Sequence, residues 1–204
     1  DPYAVPAQPT GWGCADTRDT LREMTGILPY PFAPDYRLPK ALTMHLAHPR
    51  VVVTKSARTL QLFDGSALVK TYPCITGSAP GDKQTEGDRK TPLGTFRIVF
   101  KNPESNFHLS LGLDYPSADD AHRGLQQHLI TQQQHDDILA ALASDLSLAE
   151  NQKKLWYTPL GGEIFLHGSG EGRNGTAGCV ALSNADIEEL FTILPLHTPV
   201  TILP

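Results

Sequence analysis

A histidine and a cysteine separated by a glycine-rich loop are the residues in this chain best suited to chemistry. His167 closes the apolar run Glu163-Ile164-Phe165-Leu166-His167, and Cys179 follows twelve positions later, after Gly168, Gly170, Gly172, Gly175 and Gly178. A thiol nucleophile needs a base in reach, a group that orients the base, and amide donors for the oxyanion. A strand ending at His167 holds the imidazole on a rigid element, and the glycines let the next loop fold back. Gly178 lets backbone approach a substrate carbonyl without a Cβ clash. Amides around Gly178 and Cys179 can then point at the developing charge. A neighbouring imidazole draws the thiol from its free pKa of about 8.5 toward neutrality. The spacing by itself is equally that of a buried core cysteine and a satisfied histidine at a strand end.

The elements that position these residues are read from periodicity and punctuation. Val51-Val52-Val53 is β-branched, Leu60 and Leu62 share one face of a second strand, and Asp64-Gly65 marks a hairpin into a third strand over 67–75. This meander leads into a polar loop, residues 77–94, with four glycines and two prolines in eighteen positions. A loop that long in a compact domain is expected to be functional or mobile. Strands follow over 95–100 and 107–113. Residues 118–155 lack proline and have no glycine after Gly124, and their leucines recur near helical spacing, which predicts two helices or one broken helix. His122, His128 and His135 in this stretch are six and seven apart, unlike i, i+4 metal ligands, and read as a solvated polar face. Ser183 and Asp186 cap an amphipathic helix that Pro195 ends, and residues 199–203 form a last strand. The pattern is α+β and mainly antiparallel. Residues 1–49, with eight prolines, read as an N-terminal arm or cap carrying a short helix over 16–24. Residues 50–204 form the main domain, with the helical insertion at about 118–155.

Composition narrows the function classes. The chain has 204 residues, 40% hydrophobic and 19% charged, with a net charge of -5. A chain of this length buries roughly 70% of its unfolded surface and needs no staple. Its negative balance excludes a phosphate-backbone stripe and hence nucleic acid. No apolar run reaches the roughly 20 residues of a membrane span. The chain opens on Asp1-Pro2-Tyr3, which fits a processed, exported form. Three cysteines leave one thiol over if two pair. Cys14 with Cys74 is the pairing to expect, set equally against three free thiols with Cys74 a small buried group. No CxxC or HExxH arrangement is present, so neither a metal nor an organic cofactor is implied.

Three stretches together resemble the YkuD-type L,D-transpeptidases, in particular their YafK-like murein L,D-transpeptidase branch. His167-Gly168 followed by Thr176-Ala177-Gly178-Cys179-Val180-Ala181-Leu182-Ser183-Asn184 resembles the catalytic motif. Gly87-Asp88-Arg89-Lys90-Thr91-Pro92-Leu93-Gly94-Thr95-Phe96 resembles the family's GD-x-x-TP loop. Asn102-Pro103, Phe107 to Leu111 and Tyr115-Pro116 resemble the strand region before the active site. The likeness covers roughly residues 50–117 and 161–203. It implies the YkuD-like fold, Cys179 as nucleophile, His167 as base and the Gly168 carbonyl as the group orienting its ring. It further implies an oxyanion hole shaped by Thr176, Ala177 and Gly178, with His108, Ser169 and Arg173 along the substrate cleft.

The reaction so implied is attack on the carbonyl of a meso-diaminopimelate or similar third residue of a peptidoglycan stem peptide, giving a thioester. An amine resolves it to a crosslink or to a wall-linked lipoprotein, and water resolves it to a trimmed peptide. Such an enzyme works outside the cytoplasmic membrane. The chain departs from the common motif at Ala177 and Ala181, where the family carries His or Arg before the Gly-Cys and Arg two residues after the Cys. Arg173, Lys83 or Arg89 then stand as candidates to hold a substrate carboxylate. The alternatives are a hydrolase of the same family, acting as L,D-carboxypeptidase or as an amidase releasing wall-linked protein, and a non-catalytic wall-binding module.

Overall fold

The computed structural model describes residues 45–146 and 148–204. The proline-rich arm therefore falls almost wholly outside the described residues, together with the short helix over 16–24 and Cys14. The elements run β1 (Pro49–Thr54), β2 (Thr59–Asp64), β3 (Ala67–Pro73), β4 (Gly94–Ser105), β5 (His108–Leu113), α1 (Ala118–Gln126), α2 (Gln132–Leu142), α3 (Ala149–Trp156), β6 (Phe165–His167), β7 (Val180–Ala181), α4 (Asn184–Ile193) and β8 (Pro199–Leu203).

The eight strands form one sheet in the order β3-β2-β1-β8-β4-β5-β6-β7. Antiparallel pairing dominates, and the parallel pairs are β1 with β8 and β6 with β7. Period-two alternation sends Val51 and Val53, Leu60 and Leu62, and Val200 and Ile202 into one core. Helix α4 closes that core with Ile187 and Leu190. Strand β4 changes partner along its length, from β8 at Gly94–Arg97 to β5 beyond Ile98, with bulges in the second half. The two ends of the sheet then meet. Ile75, just past β3, exchanges both backbone hydrogen bonds with Ala181 of β7 at 2.8 Å each.

The helical insertion has its own core, built from Ala121, Ile130, Ile138, Ala141, Leu155, Trp156 and Leu160 against Val99 of β4. Trp156 packs edge-on against Phe100 and Phe165 and donates from Nε1 to the Leu113 carbonyl at 3.2 Å. Strand β5 is thus covered on both faces, which is why Leu109 to Leu113 are all buried.

The insertion contains three helices, where leucine periodicity alone predicts two or one broken. Its first break is made by His128, which takes a left-handed φ of 58°. That conformation usually recruits glycine, so the sequence carries no punctuation there. Thr131 then restarts the chain with a capping box to Gln134, and Ser117 does the same for α1 with Asp120. Helix α3 starts at Leu148 with no side-chain cap and so leaves no signal. The histidines do not form one solvated face either. His135 is buried, and its Nε2 lies 2.9 Å from Nδ1 of His122 across the α1–α2 contact. Two imidazoles on different helices meet in space although their sequence spacing is non-helical.

Candidate active site

Strand β6 is three residues long and ends on His167. Its parallel pairing with β7 sets Leu166 against Val180 and His167 against Ala181. Continued by one residue, that register sets Cys179 against Phe165. Because side chains alternate with period two, Cys179 and His167 then share one face as diagonal neighbours. Both are buried, at 0% and 3% exposure.

The imidazole is held from two sides. Its Nδ1 lies 2.6 Å from the Gly168 carbonyl, so Nδ1–H donates there and Nε2 is the basic nitrogen. The Phe107 ring packs over it, with centroids 4.6 Å apart. Burial pulls the His167 pKa down to about 4; the Gly168 hydrogen bond opposes this and the charge of Arg173 adds to it. The imidazole is therefore neutral at physiological pH.

The Cys179 thiol donates to the Glu163 carbonyl, 3.4 Å away. Glu163 is buried at a left-handed φ of 51°, and Tyr157 Oη donates to its carboxylate at 3.2 Å. This contact connects the Cys179 thiol to the end of the helical insertion. Glu163 has no sequence signal beyond following Gly161-Gly162. Phe107 is equally invisible as a site residue, since it reaches His167 only through the β5–β6 pairing.

The turn before Cys179 is built by Thr176. Its Oγ1 donates to the Cys179 carbonyl at 2.6 Å and accepts from the Gly178 N–H at 3.1 Å. The Gly178 amide is thus engaged inside the turn and is not presented to an oxyanion. Gly178 is required for another reason. At φ +145° a Cβ here would sit 2.9 Å from the Lys90 carbonyl. Gly168 is also enclosed, since a Cβ would meet the Asn184 Oδ1 at 2.6 Å and the Phe107 carbonyl at 2.8 Å.

Lys90 belongs to the long loop, which is fastened down throughout. The Asp88 carboxylate accepts from the amides of Gln84, Thr85 and Lys90 and from Lys83 Nζ. Burial alone would raise its pKa; these hydrogen bonds win and hold it below the usual carboxylate range. Thr91 is fully buried and accepts from the Gly77 N–H at 2.7 Å, and Lys55 Nζ donates to the Thr91 carbonyl at 2.8 Å. Residues 76–78 bond in turn to Thr176, through Ser78 N–H and the Thr76 carbonyl. The loop is thus a buttress for the cysteine turn.

This geometry coincides with a family match. The model of the YkuD family, the L,D-transpeptidase catalytic domain, matches residues 48–202. The chain belongs to that family. Two solved structures share the fold at a TM-score of 0.50: Bd1075 from Bdellovibrio bacteriovorus, 21% identical, and the helical cell shape determining protein Pgp2 from Campylobacter jejuni, 22% identical. The alignments cover 78% and 76% of this chain and 48% and 47% of those proteins, so the chain spans about half their length. No curated protein sequence matches it.

Around this YkuD-family pair the remaining candidates separate. Lys83 is 3% exposed and committed to Asp88 at 3.0 Å, so it cannot hold a substrate carboxylate. His108 turns toward α4, where Nε2 meets Glu188 Oε1 at 2.6 Å, and packs behind Gly168. Ser169, at a φ of 58°, is pinned by its N–H to Asn184 Oδ1 at 2.8 Å. Its carbonyl accepts from Arg173 Nε at 2.6 Å. Ala181 leaves room where the common motif has arginine, beside a cavity of about 250 Å³ that also reaches Cys74, Glu171 and Asp186. Cys74 is a free, buried thiol whose pKa burial pushes up to about 12. Among the described residues no three His, Cys, Asp or Glu side chains converge to hold a metal ion, and no helix is long and apolar enough to cross a membrane.

Proposed function

We propose that this protein is a cysteine acyltransferase of peptidoglycan stem peptides that works through a thioester on Cys179. The observation that carries this reading is the β6–β7 register, which puts Cys179 and a neutral His167 with its Nε2 available on one face. In the first half-reaction the Cys179 S–H proton passes to His167 Nε2 as sulfur attacks the carbonyl carbon of the third stem residue. The tetrahedral intermediate collapses by breaking the C–N bond to the next residue, and the proton on Nε2 moves to the departing amine. An acceptor amine then gives its proton to His167, attacks the thioester and releases the thiol.

The depressed basicity of His167 suits a proton that is handed on rather than stored, because the buried pocket disfavours a standing imidazolium. With the Gly178 N–H occupied, the oxyanion is assigned to neighbouring amides of the Ala177–Cys179 turn. The wall-linked acceptor is a peptide amine or a lipoprotein, and the site of action is outside the cytoplasmic membrane.

Water as the acceptor is the second reading. The feature that favours it is the hydrogen-bonded tie from the Cys179 thiol through Glu163 to Tyr157 at the end of the helical insertion, beside which a second peptide would have to dock. Mass spectrometry of muropeptides incubated with the protein separates the two. New 3–3 crosslinks mark transfer, and conversion of tetrapeptide to tripeptide marks hydrolysis. Cys179→Ala must abolish either product; unchanged products would remove the thioester from the mechanism.

A further inference from the structure

The residue that receives the Cys179 S–H is held more tightly than a buried cysteine demands. A free thiol in a core behaves as a small apolar group and needs no strong acceptor. Here Glu163 supplies one, its carbonyl 3.4 Å from the sulfur. It does so from a left-handed φ of 51°, a conformation that a residue with a Cβ keeps only where its surroundings impose it. Glu163 is buried and precedes β6, outside the residues that pair in the sheet.

Those surroundings fix it on three sides. Before it, Gly161 turns at φ +79°, where a Cβ would stand 2.9 Å from Lys83 Cε, and Gly162 passes so close to Trp156 that a Cβ would meet its backbone at 2.3 Å. After it, the Ile164 carbonyl accepts from the Leu113 N–H at 2.9 Å. On the side chain, Tyr157 Oη donates to the carboxylate at 3.2 Å. Tyr157 directly follows Trp156, whose indole is seated against Phe100 and Phe165 and bonded to the Leu113 carbonyl. The tyrosine is exposed, yet its hydroxyl reaches inward to a buried acid.

We infer that Glu163 is a positioning residue for the nucleophile: its left-handed backbone turns a carbonyl onto the Cys179 thiol, and Tyr157 at the end of the helical insertion holds it there. A carbonyl accepts a hydrogen bond but takes no proton. The contact therefore fixes the direction of the resting S–H, and it is given up when the proton passes to His167 Nε2. The role rests on the reading of Cys179 as nucleophile and is exerted through it, since Glu163 itself transfers nothing. It also gives the helical insertion a task at the site, because the seam that seats Trp156 sets where the sulfur stands.

The S–H stretching band reports the contact directly, because a hydrogen-bonded thiol absorbs at lower wavenumber than a free one. Infrared difference spectra of the full chain against Cys179→Ala isolate the Cys179 band from the other cysteines. The band should lie at the hydrogen-bonded position. Tyr157→Phe and Glu163→Ala should each move it to higher wavenumber, and the two together no further than either alone. Glu163→Gln keeps an oxygen that accepts from Tyr157 and so keeps the band in place. Turnover of muropeptides should follow the band, with kcat about 10-fold lower in Tyr157→Phe and KM unchanged, as for a displaced nucleophile rather than lost binding. A wild-type band at the free-thiol position, an unmoved band in Tyr157→Phe, or a Glu163→Gln band shifted as far as that of Glu163→Ala overturns the inference. Tyr157→Phe removes one oxygen from an exposed side chain, so the test stands even if Glu163→Ala fails to fold. The spectra need no substrate: a wild-type protein that yields no muropeptide product would remove the stem-peptide reading, while the band still decides the role of Glu163.

Discussion

Acid should loosen this protein through one buried ring. In the unfolded chain His167 titrates near the ordinary histidine value of 6.5, whereas in the folded protein burial holds it at about 4. Between those values the unfolded state binds a proton that the native state refuses. The His167 contribution is therefore fully present above pH 6.5 and is lost as the pH falls toward 4. Each pH unit in that window is worth about 1.4 kcal/mol, so the whole interval amounts to about 3 kcal/mol, a large share of a small domain's stability. The measurement is urea unfolding of the protein and of His167→Gln at half-unit steps from pH 7.5 to 4. Gln keeps a polar side chain of comparable size and cannot titrate. The difference between the two stability curves isolates His167 from the carboxylates, Asp88 included, that titrate in both proteins. That difference should be flat above pH 7 and slope by about 3 kcal/mol below it. Parallel curves would mean that the imidazole is not desolvated, and would remove the basis for a neutral resting base.

Gly178→Ala should destabilise the protein by about 2 kcal/mol or more through its left-handed backbone and the clash with the Lys90 carbonyl, seen as a lower thermal midpoint. An unchanged midpoint would show that the long loop does not buttress the cysteine turn. Cys74 should resist alkylation at pH 8 in the folded protein and react only at the rate of global unfolding, because its thiol is buried and its pKa is pushed to about 12. Peptide mapping after iodoacetamide pulses reads this, and rapid native labelling would contradict it. Trp156→Ala should cost about 3–5 kcal/mol, since it empties the seam between the helical layer and the sheet and frees the Leu113 carbonyl. A loss below about 1 kcal/mol in urea unfolding would show that the insertion is loosely attached.

Strands β1, β2 and β8 are legible from alternation and β-branched runs, because one more deeply buried face imposes period two on the residues, whereas β5, buried on both faces, is legible only as a short strand-like run. Strand β7 is not, since Val180-Ala181 is a strand only by virtue of the partners β6 and Ile75 on its two sides. The same holds for the candidate pair. His167 and Cys179 can be picked out as candidates from residue type and from the surrounding motif. Their diagonal placement depends on a two-residue strand that no local propensity encodes. The first break of the insertion escapes notice because His128 performs a glycine's task, and its third helix because Leu148 provides no side-chain cap. The long polar loop is readable as special, but its work is mostly inward, as Asp88, Thr91 and Lys83 fasten backbone. Glu163 and Phe107 reach the site across elements, and such contacts leave no pattern in one dimension.

The meeting of Ile75 with Ala181 has a kinetic side. These residues are more than a hundred positions apart in the chain, and the hydrogen bonds between them close the sheet at the very strand that carries Cys179 into place. Loop closure over such a distance is entropically costly and is expected late in folding. Until it happens, Cys179 is an ordinary cysteine on a flexible glycine-rich segment, with no imidazole fixed beside it. In a nascent or partly unfolded chain the proposed nucleophile is therefore unarmed, and the pairing of thiol with imidazole arrives with the last seam of the fold.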